Sequence, residues 1–237
     1  MEEVGVVREL WRYPVKSLVG ESLPALDIDS RGVRGDRLWA LAVAEGKFAS
    51  GKSTSRFRRV RGMLHLSSRY DAQVPVITFP DGRAIRGDDP GIDAALSAHF
   101  GEPLRLVEER GVSHLDEGPV HLVTTSSLRT LQAQLGPIDV RRFRPNVVLD
   151  TPDPGGTPEA GWVGRTVGIG NGVVLEVTSR TPRCIMVGQA QRALTADPRI
   201  LPRIANDHDL FFGVMAAVRR TGHVRLGDRA VLEAAPS

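Results

Sequence analysis

The 237-residue sequence contains one cysteine, Cys184, and therefore cannot form an intrachain disulfide or a multi-cysteine zinc or iron–sulfur site. It also lacks any run of the roughly 18 uncharged apolar residues that a membrane-spanning helix needs. Its first residues, Met1 to Val4, show neither the basic start nor the apolar run of a secretory signal. These absences predict a cytoplasmic protein that does not insert into a membrane.

Lysine is scarce as well, because only Lys16, Lys47 and Lys52 stand among 31 basic residues. The formal net charge is only +3, and the densest basic run, residues 56–61, is short. Nucleic-acid-binding proteins usually carry a more concentrated basic stripe, so no nucleic-acid partner is predicted. The remaining basic residues are arginines, whose planar guanidinium groups bind pairs of phosphate oxygens.

Short strand patterns separated by turns dominate the sequence, without the regular alternation of strands and helices that a parallel sheet needs. The predicted strands cover residues 4–15, 23–28, 37–43, 74–79, 83–85, 104–107, 120–123, 143–149, 163–169, 173–177, 211–218 and 223–232. The predicted helices cover residues 92–100, 124–136 and 197–205. This pattern indicates a strand-dominated α+β fold. A polar stretch at residues 108–118 suggests two domains, 1–108 and 109–237.

Residues 46–53 match the phosphate-binding P-loop pattern, with Lys52 at its lysine position. A P-loop leads from a strand into a helix, but residues 53–63 form a poor helix and Phe48 is bulky for a loop that wraps phosphate. The segment is therefore interpreted as a turn between strands. Nucleotide binding remains the weakest alternative function.

Cys184 is the strongest candidate for chemistry, since it follows a predicted strand end and has Arg180 and Arg183 close by. Positive neighbours favour the thiolate form of cysteine, which is a nucleophile and a ligand for soft metals. A lone cysteine is more often a small buried apolar residue. The residues alone leave this choice open.

Five segments in order resemble the MOSC (molybdenum-cofactor sulfurase C-terminal) domain family and its N-terminal β-barrel domain. They are Leu10-Trp11-Arg12-Tyr13-Pro14-Val15-Lys16-Ser17, Gly35-Asp36-Arg37-Leu38-Trp39, Phe143-Arg144-Pro145-Asn146-Val147-Val148, Arg183-Cys184 and Gly227-Asp228. The resemblance implies a β-rich N-terminal domain followed by a MOSC β-barrel domain. It is strongest to the mitochondrial amidoxime-reducing components and their bacterial counterparts, in which pterin-bound molybdenum reduces N-hydroxylated compounds.

The resemblance also implies roles for individual residues. Cys184 matches the cysteine that ligates molybdenum. The implied contacts with the molybdopterin cofactor are Lys16, Ser17, Arg37, Thr124, Arg144, Asn146 and Arg183. Phosphate and dithiolene groups require the cationic and hydroxyl donors that this set contains. The implied function is a molybdenum-cofactor oxidoreductase that reduces N-hydroxylated or N-oxide small molecules.

The sequence departs from this pattern at two positions. Thr181 stands where relatives carry a second cysteine, and Gln189-Ala190 stands where they carry an acidic residue. Electrons would come from a separate redox partner of ferredoxin or cytochrome type, because the chain has no cysteines for an iron–sulfur cluster. The main alternative is a sulfur carrier, in which Cys184 holds a persulfide received from a pyridoxal-phosphate-dependent desulfurase.

Overall fold

The computed structural model describes residues 1–44, 46–152 and 155–233, and strands dominate these residues. In chain order the strands are β1 (Glu2–Arg12), β2 (Glu21–Ser22), β3 (Ala25–Asp29), β4 (Gly32–Val33), β5 (Trp39–Val43), β6 (Phe48–Ser50), β7 (Phe57–Arg59), β8 (Ser67–Asp71), β9 (Val74–Thr78), β10 (Ala84–Arg86), β11 (Leu104–Glu108), β12 (Val120–Thr124), β13 (Val147–Asp150), β14 (Thr166–Ile169), β15 (Val173–Pro182), β16 (Phe211–Arg220), β17 (Gly222–Arg225) and β18 (Arg229–Leu232). The α-helices are α1 (Ile92–Phe100), α2 (Thr125–Leu135) and α3 (Ile200–His208).

Seven strands close into a barrel in the order β13-β12-β16-β15-β14-β18-β1, and β1 then pairs with β13. All neighbouring pairs are antiparallel except β12 with β13. The barrel interior is filled by apolar side chains from these strands, including Leu10, Leu122, Leu175 and Val214. The predicted strand-dominated α+β fold class is confirmed.

Strand β1 joins the start of the chain to the barrel, because it pairs with β13 on one edge and β18 on the other. Its pairing with β18 shifts register between Glu3 and Gly5. Gly5 has φ +152, and a Cβ there would lie 2.2 Å from the Asp150 carbonyl oxygen, so the close approach of β1 to β13 requires glycine.

Strand β2 pairs with β1, and the remaining strands form smaller sheets beside the barrel. Strands β11-β5-β6-β7 make a four-stranded sheet and β10-β9-β8 a three-stranded one, with α1 packed against β11. Their apolar faces share a second core that includes Leu18, Leu41, Ile77 and Leu96. Strands β17-β3-β4 form a third small sheet. The division of the chain into domains 1–108 and 109–237 stays a prediction.

Helices α2 and α3 cover the outside of the barrel around a third apolar cluster that includes Leu131, Phe143, Ile204 and Phe212. The side chain of Thr124 accepts a hydrogen bond from the backbone N–H of Ser127 and so caps the first turn of α2. No helix of the described residues is long and apolar enough to cross a membrane.

Several predicted elements are confirmed, and the differences have local causes. Helix α1 has the predicted bounds, since Gly101 ends it in the left-handed conformation. The strand predicted for residues 143–149 begins only at Val147, because residues 140–143 form a 3-10 helix that ends at Arg144. Strand β8 was not predicted. Residues 46–53 contain β6 rather than a loop that leads into a helix, so this segment lacks the P-loop arrangement.

Candidate functional site

A cavity lies where the N-terminal sheets meet the barrel, and it encloses about 930 Å³ including the part open to solvent. Seven of the eight residues predicted to form the site line it: Lys16, Ser17, Arg37, Arg144, Asn146, Arg183 and Cys184. The fold therefore brings together residues that are far apart in the sequence.

Thr124, the eighth predicted residue, does not line this cavity. Its side chain is fully buried, and its hydroxyl donates a hydrogen bond to Glu159 Oε2 at 2.7 Å. The hydroxyl of Ser127 also donates to this carboxylate, at 2.6 Å. The structure thus places Thr124 in the buried polar cluster that begins α2.

Two arginines from distant parts of the chain meet in the cavity. Arg37 forms an ion pair with the buried carboxylate of Asp36, and its Nη2 donates to the Arg144 carbonyl oxygen at 3.4 Å. Burial opposes the charge of Arg37, but Asp36 more than compensates, and the pKa of Arg37 is raised. Arg144 has no such counterion among the described residues, and burial together with Arg37 lowers its pKa to about 10.

Three of the predicted site residues adopt left-handed backbone conformations. The φ angles are +65° at Ser17, +50° at Arg37 and +55° at Arg144. Non-glycine residues rarely adopt this conformation, and it is costly unless the surrounding structure enforces it. At Arg37 the backbone N–H donates to the Tyr13 carbonyl oxygen at 2.6 Å, which holds the turn. The strain coincides with the cation-lined wall of the cavity.

Lys16 is only 2% exposed, and it reaches residues beyond β11. Its ammonium group donates to the His114 carbonyl oxygen and to Asp116 Oδ1, each at 2.8 Å. Burial lowers the pKa of Lys16 to about 8, although Asp116 opposes the shift. The Nζ of Lys52 lies 3.9 Å from Asp116 Oδ2 and 3.8 Å from Glu117 Oε1. The cavity wall at residues 116–117 therefore places two carboxylates beside two lysines.

Cys184 is a half-buried free thiol that directly follows the half-buried Arg183. Arg183 donates to the carbonyl oxygens of Phe212, at 2.9 and 2.6 Å, and of Phe143, at 3.1 Å. Its Nη2 also contacts His121 Nε2 at 2.6 Å. Burial lowers the pKa of Arg183 to about 9. Backbone carbonyls and one imidazole thus fix the cation adjacent to the thiol.

His121 is locked in one neutral form by its neighbours. Its Nδ1 lies 3.2 Å from the Arg144 carbonyl oxygen, so Nδ1 carries the proton and Nε2 accepts from Arg183. Burial and the charge of Arg183 lower its pKa well below the ordinary value. Gly213, at φ +77, makes room for the ring, because a Cβ there would lie 2.7 Å from His121 Nε2.

This histidine is expected to make the protein acid-sensitive. The unfolded chain binds a proton at His121 below about pH 6.5 and the folded chain does not, so stability falls as the pH falls below that value. The wild type should lose about 2 kcal/mol more unfolding free energy than His121→Asn between pH 7 and pH 5. Urea unfolding at the two pH values measures this difference.

The exposed His65 supplies the control, since His65→Asn should follow the wild type at both pH values. If His121→Asn loses as much stability as the wild type on acidification, His121 is not held neutral in the fold.

Asn146 connects the cavity wall to the barrel. Its Oδ1 accepts from the His121 backbone N–H at 3.0 Å, and its Nδ2 donates to the Trp11 carbonyl oxygen at 3.3 Å. The Ser17 hydroxyl donates to the Ser50 hydroxyl at 3.2 Å. These bonds hold the polar wall against β1, β6 and β12.

Two buried polar atoms on residues that line the cavity have no hydrogen-bond partner: Arg144 Nη2 and Thr181 Oγ1. Buried polar groups are nearly always hydrogen-bonded, so such orphaned atoms suit an additional ligand. Six cations line the cavity, namely Lys16, Arg37, Lys52, Arg142, Arg144 and Arg183, against the carboxylates of Asp116 and Glu117. The donor set therefore fits an anionic ligand.

Cys184 supplies the one thiol of the cavity lining, which also contains the thioethers of Met186 and Met215. The described residues contain no group of three or more His, Cys, Asp or Glu side chains that could hold a metal ion by themselves. A metal at Cys184 would need further ligands from a bound group. This donor set fits a metal carried by an anionic cofactor, with one cysteine as the protein ligand.

Sequence reasoning missed several residues of the cavity, including Lys52, Asp116 and His121. For Lys52 a signal existed, because it is one of only three lysines in the chain and stands in the motif of residues 46–53. Asp116 and His121 carry no local motif. Their positions follow from the pairing of β12 and from the path of residues 109–118, which the sequence alone does not reveal.

The fold and the site define a β-barrel protein with a cation-lined cavity and a free thiol. The model of the MOSC domain matches residues 96–231, and that of the MOSC N-terminal beta barrel domain matches residues 4–88. The chain belongs to the MOSC domain family, as its motifs predicted.

Named relatives are similar at low identity. Mitochondrial amidoxime-reducing component 1 of Mus musculus is 26% identical over 63% of this chain, and the match spans 56% of that relative. Mitochondrial amidoxime reducing component 2 of Bos taurus is 22% identical over 96% of this chain and 83% of the relative. The crystal structure of the YuaD protein from Bacillus subtilis covers 97% of this chain and 95% of its own, with a TM-score of 0.48 and 14% identity.

Proposed function

We propose that this protein is a molybdenum-cofactor oxidoreductase that removes oxygen from N-hydroxylated or N-oxide small molecules. The observation that carries the proposal is the convergence of one free thiol with a wall of cations and two orphaned polar atoms in a single cavity. The names of the mouse and bovine relatives, which refer to amidoxime reduction, support the same chemistry.

Two kinds of residue would bind the cofactor: a thiol for the metal, and cationic and hydroxyl side chains for the anionic part of the pterin. Cys184 would provide the thiolate to molybdenum, while Lys16, Ser17, Arg37 and Arg144 would hold the anionic part of the pterin. When bound, the cofactor supplies a two-electron centre for the reductive removal of oxygen. The protein contributes orientation and fixed positive charge around it.

Arg183 and His121 hold the thiol side of the cavity rigid. The guanidinium of Arg183 is fixed by the Phe212 and Phe143 carbonyl oxygens and keeps a positive charge next to Cys184. His121 holds its proton at Nδ1 on the Arg144 carbonyl oxygen. Because its Nε2 is occupied by Arg183, His121 does not supply a proton to a substrate.

The reaction requires electrons from outside the chain. Reduction of an N-hydroxylated group to the N–H compound consumes two electrons and two protons and releases one water. The sequence has a single cysteine and therefore no iron–sulfur cluster of its own. A separate redox protein of ferredoxin or cytochrome type would deliver the electrons.

Metal analysis of the full chain tests this proposal. Protein purified from a molybdate-supplied host should contain about one molybdenum per chain, because the site offers one thiolate. Protein from a host that cannot make the pterin should contain none. The loaded protein should reduce a small amidoxime with reduced methyl viologen, measured by the appearance of the amidine.

The sulfur-carrier alternative predicts the opposite result. In that case the molybdate-supplied host would yield protein without molybdenum but with a sulfane sulfur on Cys184. That combination would reject the oxidoreductase proposal.

A further inference from the structure

Two guanidinium groups pack against the same aromatic ring beside the cavity. The Cζ of Arg37 lies 4.8 Å from the centroid of the Tyr13 ring, and the Cζ of Arg144 lies 4.3 Å from it. Tyr13 itself is only 2% exposed. The arginines come from positions 107 residues apart, so this ring is a meeting point between distant parts of the chain.

The two cations repel each other, and only one has a counterion. Arg37 is paired with Asp36. Arg144 donates through Nη1 to the Leu18 carbonyl oxygen at 2.7 Å, while its Nη2 is buried without a partner. The negative face of an aromatic ring attracts a cation, and this attraction strengthens when the pair is removed from water. The Tyr13 ring therefore offsets part of the repulsion.

Backbone and hydroxyl contacts fix Tyr13 relative to both arginines. Its backbone N–H donates to Asp36 Oδ1 at 2.7 Å, and its carbonyl oxygen accepts from the backbone N–H of Arg37 at 2.6 Å. Its hydroxyl donates to the Pro145 carbonyl oxygen at 3.0 Å, next to Arg144. The ring cannot turn away without loss of contacts on both sides.

We propose that Tyr13 is a positioning residue whose ring holds Arg37 and Arg144 together as a dicationic clamp for an anionic ligand group. The proposal rests on the proposed function only for the identity of the natural ligand. The attraction between Tyr13 and the two guanidinium groups requires the aromatic ring and not the hydroxyl. The unpartnered Nη2 of Arg144 is the donor that the clamp leaves available to the anion.

The test measures binding of inorganic phosphate to the full chain from a host that cannot make the pterin. Dissociation constants come from calorimetry at low ionic strength, with unfolding monitored separately. Tyr13→Phe keeps the ring and should bind phosphate within about threefold of the wild type. Tyr13→Met keeps much of the volume but lacks a π face, and should bind about tenfold more weakly.

Tyr70 provides a matched control. It too carries an arginine on its ring, with the Arg12 Cζ at 4.6 Å, and donates its hydroxyl to a backbone carbonyl, that of Gly35, at 2.8 Å. Arg12, unlike Arg37 and Arg144, does not line the cavity, so Tyr70→Met should bind phosphate as the wild type does.

Fluorinated phenylalanines at position 13 keep the test decisive if Tyr13→Met fails to fold. Fluorination weakens the negative ring face with little change of shape, so phosphate affinity should fall stepwise with each added fluorine. A flat series overturns the proposal, as does a folded Tyr13→Met with wild-type affinity or a wild type that does not bind phosphate.

The outcome is separable from that of the proposed function. A wild type without molybdenum but with the expected phosphate series rejects the oxidoreductase and keeps the clamp. A wild type that carries molybdenum but shows a flat series rejects the clamp alone.

Discussion

Cys184→Ser is expected to reduce the molybdenum content of the purified protein to less than roughly one tenth of the wild-type value. Serine has nearly the shape of cysteine, but its hydroxyl stays protonated and is a poor ligand for a soft metal site. The backbone at Cys184 is extended, at φ −129, and its carbonyl accepts from the Val187 N–H, which serine can equally do. Elemental analysis measures the loss.

The fold should persist in this variant. The thiol is half-buried, so the melting temperature of the cofactor-free protein should change by less than about 2 °C. Met63→Leu removes a buried sulfur in the N-terminal core, outside the cavity, and should keep its molybdenum. A serine variant with full molybdenum content would refute the assignment of Cys184 as the metal ligand.

Local sequence signals predicted those elements that depend on neighbouring residues. Helix α1 has the predicted bounds 92–100, and Gly101 ends it in the left-handed conformation, since helix breakers act within a few residues. The predicted strands 163–169 and 173–177 overlap β14 and β15, which pair as a hairpin across the turn at Gly170-Asn171-Gly172. The closure of the barrel by β1 and β13 depends on pairing between distant strands, which no local pattern encodes.

The candidate site was accessible from the sequence only through the family motifs. Arg37 and Arg144 are separated by 107 positions, and nothing in their local patterns indicates that their guanidinium groups share one ring. Seven of the eight residues that the resemblance implied line one cavity of the structure. They did not indicate that Arg37 is paired with Asp36 while Arg144 is unpaired, because that difference depends on side-chain geometry.

The structure shows the contacts of Thr181 and Gln189, the two positions that depart from the family pattern. Thr181 is buried, its hydroxyl is unpartnered, and it lines the cavity. The side chain of Gln189 donates to the Gly51 carbonyl oxygen at 3.4 Å and so contacts the loop that carries Lys52. A hydroxyl and a neutral amide thus stand in this chain at the two positions where the resemblance implies a second thiol and an acid.

Arg37→Gln and Arg144→Gln are expected to weaken cofactor retention alike but to affect the stability of the cofactor-free protein differently. Each removes a charge-assisted hydrogen-bond donor from the cavity, which should reduce retention about ten- to a hundredfold. Arg37→Gln also leaves the buried carboxylate of Asp36 without its cation. Breaking a buried ion pair in this way costs about 3–5 kcal/mol of unfolding free energy.

Arg144→Gln should be far milder for the cofactor-free fold. It removes a cation whose charged form is disfavoured by burial and by Arg37, and it loses both one hydrogen bond to the Leu18 carbonyl oxygen and the contact with the Tyr13 ring. These effects oppose each other, so the unfolding free energy should stay within about 1 kcal/mol of the wild type. Urea unfolding and molybdenum content, measured on the same preparations, separate the two variants.

The exposed Arg61 supplies the matched control, and Arg61→Gln should change neither stability nor molybdenum content. Normal molybdenum content in both cavity variants would refute the proposal that the two arginines hold the cofactor. Equal destabilisation of both cofactor-free variants would show instead that other groups of the fold compensate the charge of Arg144. If Asp36 neutralises Arg37 within the fold and only a bound anion neutralises Arg144, the two variants lose similar amounts of cofactor but different amounts of unfolding free energy.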